Sequence, residues 1–163
     1  MLKAFILTTN KAIKLRATST FKDIYGVERK NGQEWLVTVK NAETHILNVN
    51  EQLVSQVDLT VLSSRQYCVV LHPVGKDGKN QWGIKELRKG ERSFFLLPGE
   101  ELEKGIQNVY VLNEHQNLLI RATNTYKDAQ GKEYQPGESF VLKGPCEFIP
   151  PINVEILEER NNI

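Results

Sequence analysis

The segment "LRATSTFKDIYGVERKNGQEWLV", Leu15 to Val37, decides the fold, because the chain writes it twice. At a constant offset of 105 positions it returns as "IRATNTYKDAQGKEYQPGESFVL", Ile120 to Leu142. Arg16/Arg121, Ala17/Ala122, Thr18/Thr123, Thr20/Thr125, Lys22/Lys127, Asp23/Asp128, Gly26/Gly131, Glu28/Glu133 and Gly32/Gly137 are identical. Phe21/Tyr126 and Trp35/Phe140 each keep an aromatic ring. An ungapped match of this length is internal duplication, the mark of a repeat architecture.

The repeated unit reads mechanically. A short apolar strand, Leu15-Arg16-Ala17, runs into a turn where Asp23 or Asp128 bonds its own backbone and Gly26 or Gly131 accepts positive φ. Gly32 or Gly137 then opens a strand carrying the largest hydrophobe of the unit, Trp35 or Phe140. A more degenerate copy, "YCVVLHPVGKDGKNQWGIKELRKGERSFFLL", lies between them at Tyr67 to Leu97. Here Gly90-Glu91 is set level with Gly32-Gln33 and Gly137-Glu138, and Asp77-Gly78 replaces the Asp-x-x-Gly turn. Phe94 and Phe95 then take the place of Trp35 and Phe140 as core strand. The offset covers two periods of about 52 residues, which gives three modules, at 3–56, 57–111 and 112–160.

The remaining apolar runs agree with this reading. Trp35 to Val39, Tyr67 to Leu71, Val109 to Leu112, Leu118 to Ile120 and Phe140 to Leu142 are short, rich in β-formers and bounded by Gly, Pro, Asn or Asp. Gly99 and Gly105 confine any helix at Glu100 to Lys104 to one turn, too short to stand alone. The expected fold is all-β: tandem small antiparallel modules arranged in line. Even a domain of about 60 residues buries only about 60% of its unfolded surface, so such modules lean on their neighbours. The acidic Glu100-Glu101-Leu102-Glu103 and the polar Asn113 to Gln116 read as solvated connectors.

Composition narrows the function. Among 163 residues, 21 basic side chains balance 20 acidic ones, so net charge favours neither nucleic acid nor membrane. The N-terminal "MLKAFILTTN" has no sustained apolar core or cleavage site, and no stretch approaches the length that spans a bilayer. Cys68 and Cys146 lack ligand-like spacing and read as reduced thiols in a cytoplasmic protein. GxSxG, HExxH, P-loop and GxGxxG patterns are missing, and His45, His72 and His115 share no spacing. Asp77 to Asn80 lacks the alternating acids of a calcium loop. The basic run Lys85 to Arg92 reads as a solvated strand edge. No catalytic residue, metal, cofactor or small-molecule substrate follows from the sequence, and an enzyme or ligand barrel would need convergent polar groups that it does not supply.

The repeat core resembles the major vault protein family, over nearly the whole chain. Repeats of that family run as Leu-Arg-Ala, an Asp-x-x-Gly turn, Gly-Glu-x-Trp-Leu-Val and often Gly-Pro-x-x-Tyr-Ile-Pro. Leu15-Arg16-Ala17, Asp23 to Gly26 and Gly32 to Val37 follow the pattern, with Gln33 the one departure. Gly137 to Leu142 and Gly144 to Pro150 follow it again, with Phe140 for the Trp and Phe148 for the Tyr. "KGERSFFLLPGEELEKGIQNVYVL" looks like a signature of one stretch of the family.

The resemblance implies a structural role in the wall of the vault, a hollow cytoplasmic ribonucleoprotein particle also placed in the nucleus, whose subunits stand side by side. It implies other copies of the chain as partners, with vault poly(ADP-ribose) polymerase and telomerase-associated protein as associated proteins. It offers no catalytic residue, no cofactor and no direct nucleic-acid contact. A docking module that binds such a partner by strand addition is the alternative. The first module has Lys40 to Leu47 where Gly-Pro-x-x-Tyr-Ile-Pro belongs, so its lateral contacts are expected to differ. The family's other repeats and its helical regions are missing from the chain, so the segment alone is expected to be monomeric or weakly associating.

Overall fold

The computed structural model describes residues 4–161; Lys3, the first residue of the first module, lies outside them. Every regular element among the described residues is a β-strand. The first module contributes β1 (Ala4–Ile6), β2 (Lys11–Ala17), β3 (Phe21–Lys22), β4 (Glu28–Arg29), β5 (Glu34–Val37), β6 (Thr44–Ile46) and β7 (Glu51–Asp58). The middle one contributes β8 (Thr60–Leu62), β9 (Gln66–Leu71), β10 (Lys85–Lys89), β11 (Arg92–Phe94), β12 (Glu101–Leu102) and β13 (Gln107–Asn108). The third repeats the first, and its opening strand crosses the boundary expected at 111/112 as β7 crosses that at 56/57: β14 (Tyr110–Leu112), β15 (Gln116–Ala122), β16 (Tyr126–Lys127), β17 (Glu133–Tyr134), β18 (Ser139–Lys143), β19 (Cys146–Phe148) and β20 (Val154–Asn161).

One plan recurs. A central strand, β2 or β15, is flanked by β5 and β7 or by β18 and β20, all antiparallel. A hairpin (β3–β4, β16–β17) and a two-stranded ribbon (β1–β6, β14–β19) complete each flanking module. The register breaks at Lys14/Leu15 against β7 and at Leu119/Ile120 against β20, so even the bulge sits at equivalent positions. The middle module keeps β9 at the centre, with β10 on one side and β12 and β13 on the other. Its hairpin shrinks to a single bridge, Val74↔Asn80. Its third strand, continuous over eight residues in β7 and β20, is interrupted between Leu102 and Gln107.

Alternation puts the apolar side chains of the central strands inside. Ile13, Leu15 and Ala17 join Leu7, Trp35 and Val37 in one core; Leu118 and Ile120 join Leu112 and Val154 in another. Packing divides the chain into two compact units. The first runs through Val61 and takes in His72–Trp82 and Arg92–Glu101; the second comprises Leu62–Leu71, Gly83–Glu91 and the chain from Leu102 onward. The first module therefore belongs to one unit and the third to the other, while the middle one supplies segments to both.

The middle copy corrects the sequence alignment. Leu15 pairs with Trp35 and Ile120 with Phe140, but the equivalent Val70 pairs with Glu86. The place of Trp35 and Phe140 is therefore held by Glu86, not by Phe94 or Phe95. Likewise Arg88 faces Cys68 as Val37 faces Ile13. Glu86 and Arg88 join through Nε and Oε1 at 2.9 Å, so an ion pair stands where the first module has an apolar pair, and matching by aromatic rings slips past it. Phe94 lies on β11 against β8, as Phe148 lies on β19 against β14, and both Phe94 and Phe95 are half-buried. The strand opener of this copy is Gly83, two residues before β10 as Gly32 is two before β5.

Candidate functional site

The best-defined local structure is the repeated turn. The Asp23 Oδ1 accepts the N–H groups of Tyr25 and Val27 at 3.0 and 2.9 Å. Asp128 does the same for Gln130 and Lys132, at 3.0 and 2.9 Å. Gly26 and Gly131 donate to the carbonyls of Asp23 and Asp128 from φ of 82° and 90°, a region open to glycine and strained for other residues. Gly32 and Gly137 donate to the Ala17 and Ala122 carbonyls, both at 2.8 Å, tying the turn to the central strand. Gln33 departs from glutamate without loss: its Oε1 accepts the Lys30 N–H as the Glu138 Oε1 accepts that of Gln135. In the middle copy Gly75 takes the aspartate's place, and Asp77, two residues later, accepts the Lys79 N–H at 3.1 Å.

The turn feeds the aromatic position. Arg29 lies 4.6 Å over the Trp35 ring and also donates from Nε to Asp23 Oδ2 at 2.9 Å. At the equivalent position, Tyr134 stacks on Phe140 with ring centroids 4.2 Å apart. Burial pushes the Asp23 carboxyl up, but the Val27 and Tyr25 N–H groups and the Arg29 guanidinium outweigh it and hold it below its ordinary value. A carboxyl depressed by folding stabilises fully above its unfolded value of about 3.9 and loses that contribution as pH falls through the folded value. Asp23→Asn is therefore expected to cost about 1–2 kcal/mol at neutral pH. In urea unfolding the gap to the parent protein narrows as the pH drops below about 4.

Gly90 and Gly144 form a second matched pair. Their N–H groups donate to the carbonyls of Gln66 and Gln116, at 3.1 and 2.9 Å. A Cβ added at either would fall 1.6 Å from the Ser63 oxygen or 1.9 Å from that of Asn113. Gly90 thus answers to Gly144, and its glycine is demanded by contact with backbone rather than by the opening of a strand.

Two buried carboxylates escape sequence reading. Glu51 is buried, and its Oε1 meets His45 Nε2 at 3.0 Å and the Asn48 N–H at 2.9 Å. His45 Nδ1 in turn lies 2.8 Å from the hydroxyl of the half-buried Tyr25, closing a Tyr25–His45–Glu51 chain. Burial, then the nearby Glu51 and Asp23 carboxylates, push the Tyr25 hydroxyl above its ordinary value. Glu100, read from sequence as part of a solvated connector, is buried instead and accepts the N–H groups of Leu97 and Val74, both at 2.8 Å. It repeats the turn of Glu51: Glu100 donates to Leu97 O as Glu51 donates to Asn48 O. Val154 holds the same position in the third module, so polarity here was invisible to the strongest repeat match.

Chemically these arrangements hold backbone in place. No three His, Cys, Asp or Glu side chains among the described residues are grouped as metal ligands. In the second unit an open groove of about 580 Å³ runs past Tyr67, Lys85, Gln107, Tyr110, Asn124 and Ile152.

Comparison with known proteins agrees with the repeat plan. Two sequence models of the Major Vault Protein repeat domain match, one over residues 5–48 and 110–151, the other over 59–106. Major vault protein of Bos taurus is 51% identical over 98% of this chain, and that of Homo sapiens 48% over all of it. The sea urchin Strongylocentrotus purpuratus protein is 48% identical over 98% of the chain. The chain spans 18% to 19% of the length of these three relatives. Its three copies, matched in turn by repeat models and relatives across nearly every residue, make it a member of the major vault protein family.

Proposed function

We propose that this chain is a scaffold segment, part of the barrel wall of the vault particle, working by side-by-side packing with other copies. The observation that supports it most is the recurrence of one hydrogen-bonded turn, from Asp23 and again from Asp128, around apolar cores of equivalent strands. Repetition of fold without convergence of reactive groups suits a building element and not a catalyst. The reading places the protein in the cytoplasm, in ribonucleoprotein particles, with vault-associated proteins as further partners.

The test is a chimera in which this chain replaces the corresponding stretch of a full-length relative. Closed shells in negative-stain micrographs are the expected result; a folded, soluble chimera that forms none contradicts the wall role. The groove of the second unit favours a second reading, docking of an extended peptide by strand addition. Saturable binding of a vault-associated protein, abolished by changing Lys85 and Gln107, would establish it.

A further inference from the structure

The turn that opens β5 carries a reactive pair of residues in the first module alone. Gly32 and Gly137 hold equivalent positions, and Gly83 holds the same place in the middle copy. The residue before each is exposed and differs in kind: Asn31, Pro136 and Trp82. Asn31-Gly32 is the one asparagine-glycine pair in the sequence. An asparagine amide is open to attack by the backbone nitrogen that follows it, most of all before glycine, which has no Cβ to crowd the approach.

The geometry supplies both room and a restraint. Gly32 has φ of 84°, and nothing lies within 4 Å of a Cβ built on it. The Gln33 N–H donates to the Lys30 carbonyl at 2.8 Å, which makes residues 30–33 a type II turn. Two further bonds fasten that turn to the module. The Asn31 N–H donates to Thr20 Oγ1 at 3.1 Å, and the Gly32 N–H to the Ala17 carbonyl at 2.8 Å. The attacking nitrogen is therefore the one whose proton β2 already holds.

We propose that Asn31 is a site of spontaneous deamidation which the fold holds back, and which becomes reactive when this turn lifts from β2. With the Ala17 bond open, hydroxide takes the proton of the Gly32 nitrogen, and that nitrogen attacks Asn31 Cγ. The N–Cγ bond forms, the Cγ–Nδ2 bond breaks, and ammonia leaves after taking a proton from water. Water then opens the cyclic imide at either carbonyl, giving aspartate or isoaspartate. The net change is amide plus water to acid plus ammonia, with nothing oxidised or reduced. Isoaspartate carries the main chain through the former side chain and adds one carbon between the residue 31 Cα and the Gly32 nitrogen. The bonds to Thr20 and Ala17 are set by the shorter path, so the turn does not close as before and the step runs one way. Because opening precedes the chemistry, the rate follows the open population of this turn. Pro136 and Trp82 have no amide to lose, so the other two modules are spared.

Peptide mass spectrometry of the whole chain, held in mildly alkaline buffer and sampled over weeks, measures the amide-to-acid change at Asn31. Labelling by isoaspartyl methyltransferase counts the isoaspartate. Conversion is expected to be at least about tenfold faster in guanidinium chloride, where the turn is open throughout, than in the native protein. Thr20→Val, which removes the acceptor of the Asn31 N–H, is expected to speed native conversion about fivefold. Asn31→Gln is expected to remove the signal and to keep the parent's melting temperature. No conversion in guanidinium chloride overturns the site. Equal rates in native and unfolded protein overturn the restraint. A Thr20→Val rate equal to the parent's, with circular dichroism unchanged, overturns the gating by this turn. Should Thr20→Val unfold, the parent in urea below its midpoint replaces it: a rate that climbs with urea is expected, and a flat one overturns the gating.

Discussion

Gly90→Ala is expected to abolish folding or to cost more than about 3 kcal/mol, above the usual range for overpacking. The added methyl would lie 1.6 Å from the Ser63 carbonyl oxygen and 2.5 Å from its carbon. Both atoms belong to the backbone of the turn between β8 and β9, and the Gln66 N–H is bonded to that same oxygen. Neither can move without breaking the turn. Gly144→Ala should behave alike, its methyl 1.9 Å from the Asn113 oxygen. Gly26→Ala is the internal control: nothing lies within 4 Å of its Cβ, and only the positive φ resists, at about 1–2 kcal/mol. Urea midpoints for the three variants separate these causes, and a Gly90→Ala protein as stable as Gly26→Ala would show the close approach to be wrong.

The second large effect belongs to the Tyr25–His45–Glu51 chain. His45→Ala leaves the buried Glu51 carboxylate and the half-buried Tyr25 hydroxyl beside a void, an expected loss of about 3–5 kcal/mol. Removing the whole chain should be far milder, since replacing a buried polar network by apolar side chains is often neutral. The third module supplies the precedent, with Val154 facing Ala122 as Glu51 faces Ala17. Tyr25→Phe/His45→Leu/Glu51→Val is therefore expected to recover at least half of what His45→Ala loses. Thermal or urea unfolding checks it, and a combined variant less stable than His45→Ala would mean that the network organises this module beyond its own pairings.

How far the sequence could be read follows from these residues. The all-β class and the two flanking copies were legible because Asp, Gly and aromatic positions recur without a gap. Those side chains are demanded by turn geometry and core volume, which leave few substitutes. The middle copy was misread because its second strand solves the same packing problem with Glu86 and Arg88, leaving no aromatic mark to align. Phe94 and Phe95 then drew the alignment toward the ribbon strand, seven residues too far along. Glu51, Glu100 and His45 were unreadable for another reason. Whether a carboxylate is buried depends on which backbone N–H groups meet it, and Glu100 finds those of Val74 and Leu97 only after the chain has folded back. The exposed Ile6, Val61 and Val111 needed the opposite knowledge, since apolar residues in short strands read as core until the pairing shows which face they take.

The scaffold role depends most on the middle module being a true third copy of its neighbours. Backbone nuclear Overhauser contacts across β9 test it directly. The predicted result pairs Val70 with Glu86 and Cys68 with Arg88, as Leu15 pairs with Trp35 and Ile13 with Val37. Contacts from Val70 to Phe94 or Phe95 would instead restore the alignment by aromatic residues, move Gly90 to the strand opening, and contradict the repeat plan described for this protein.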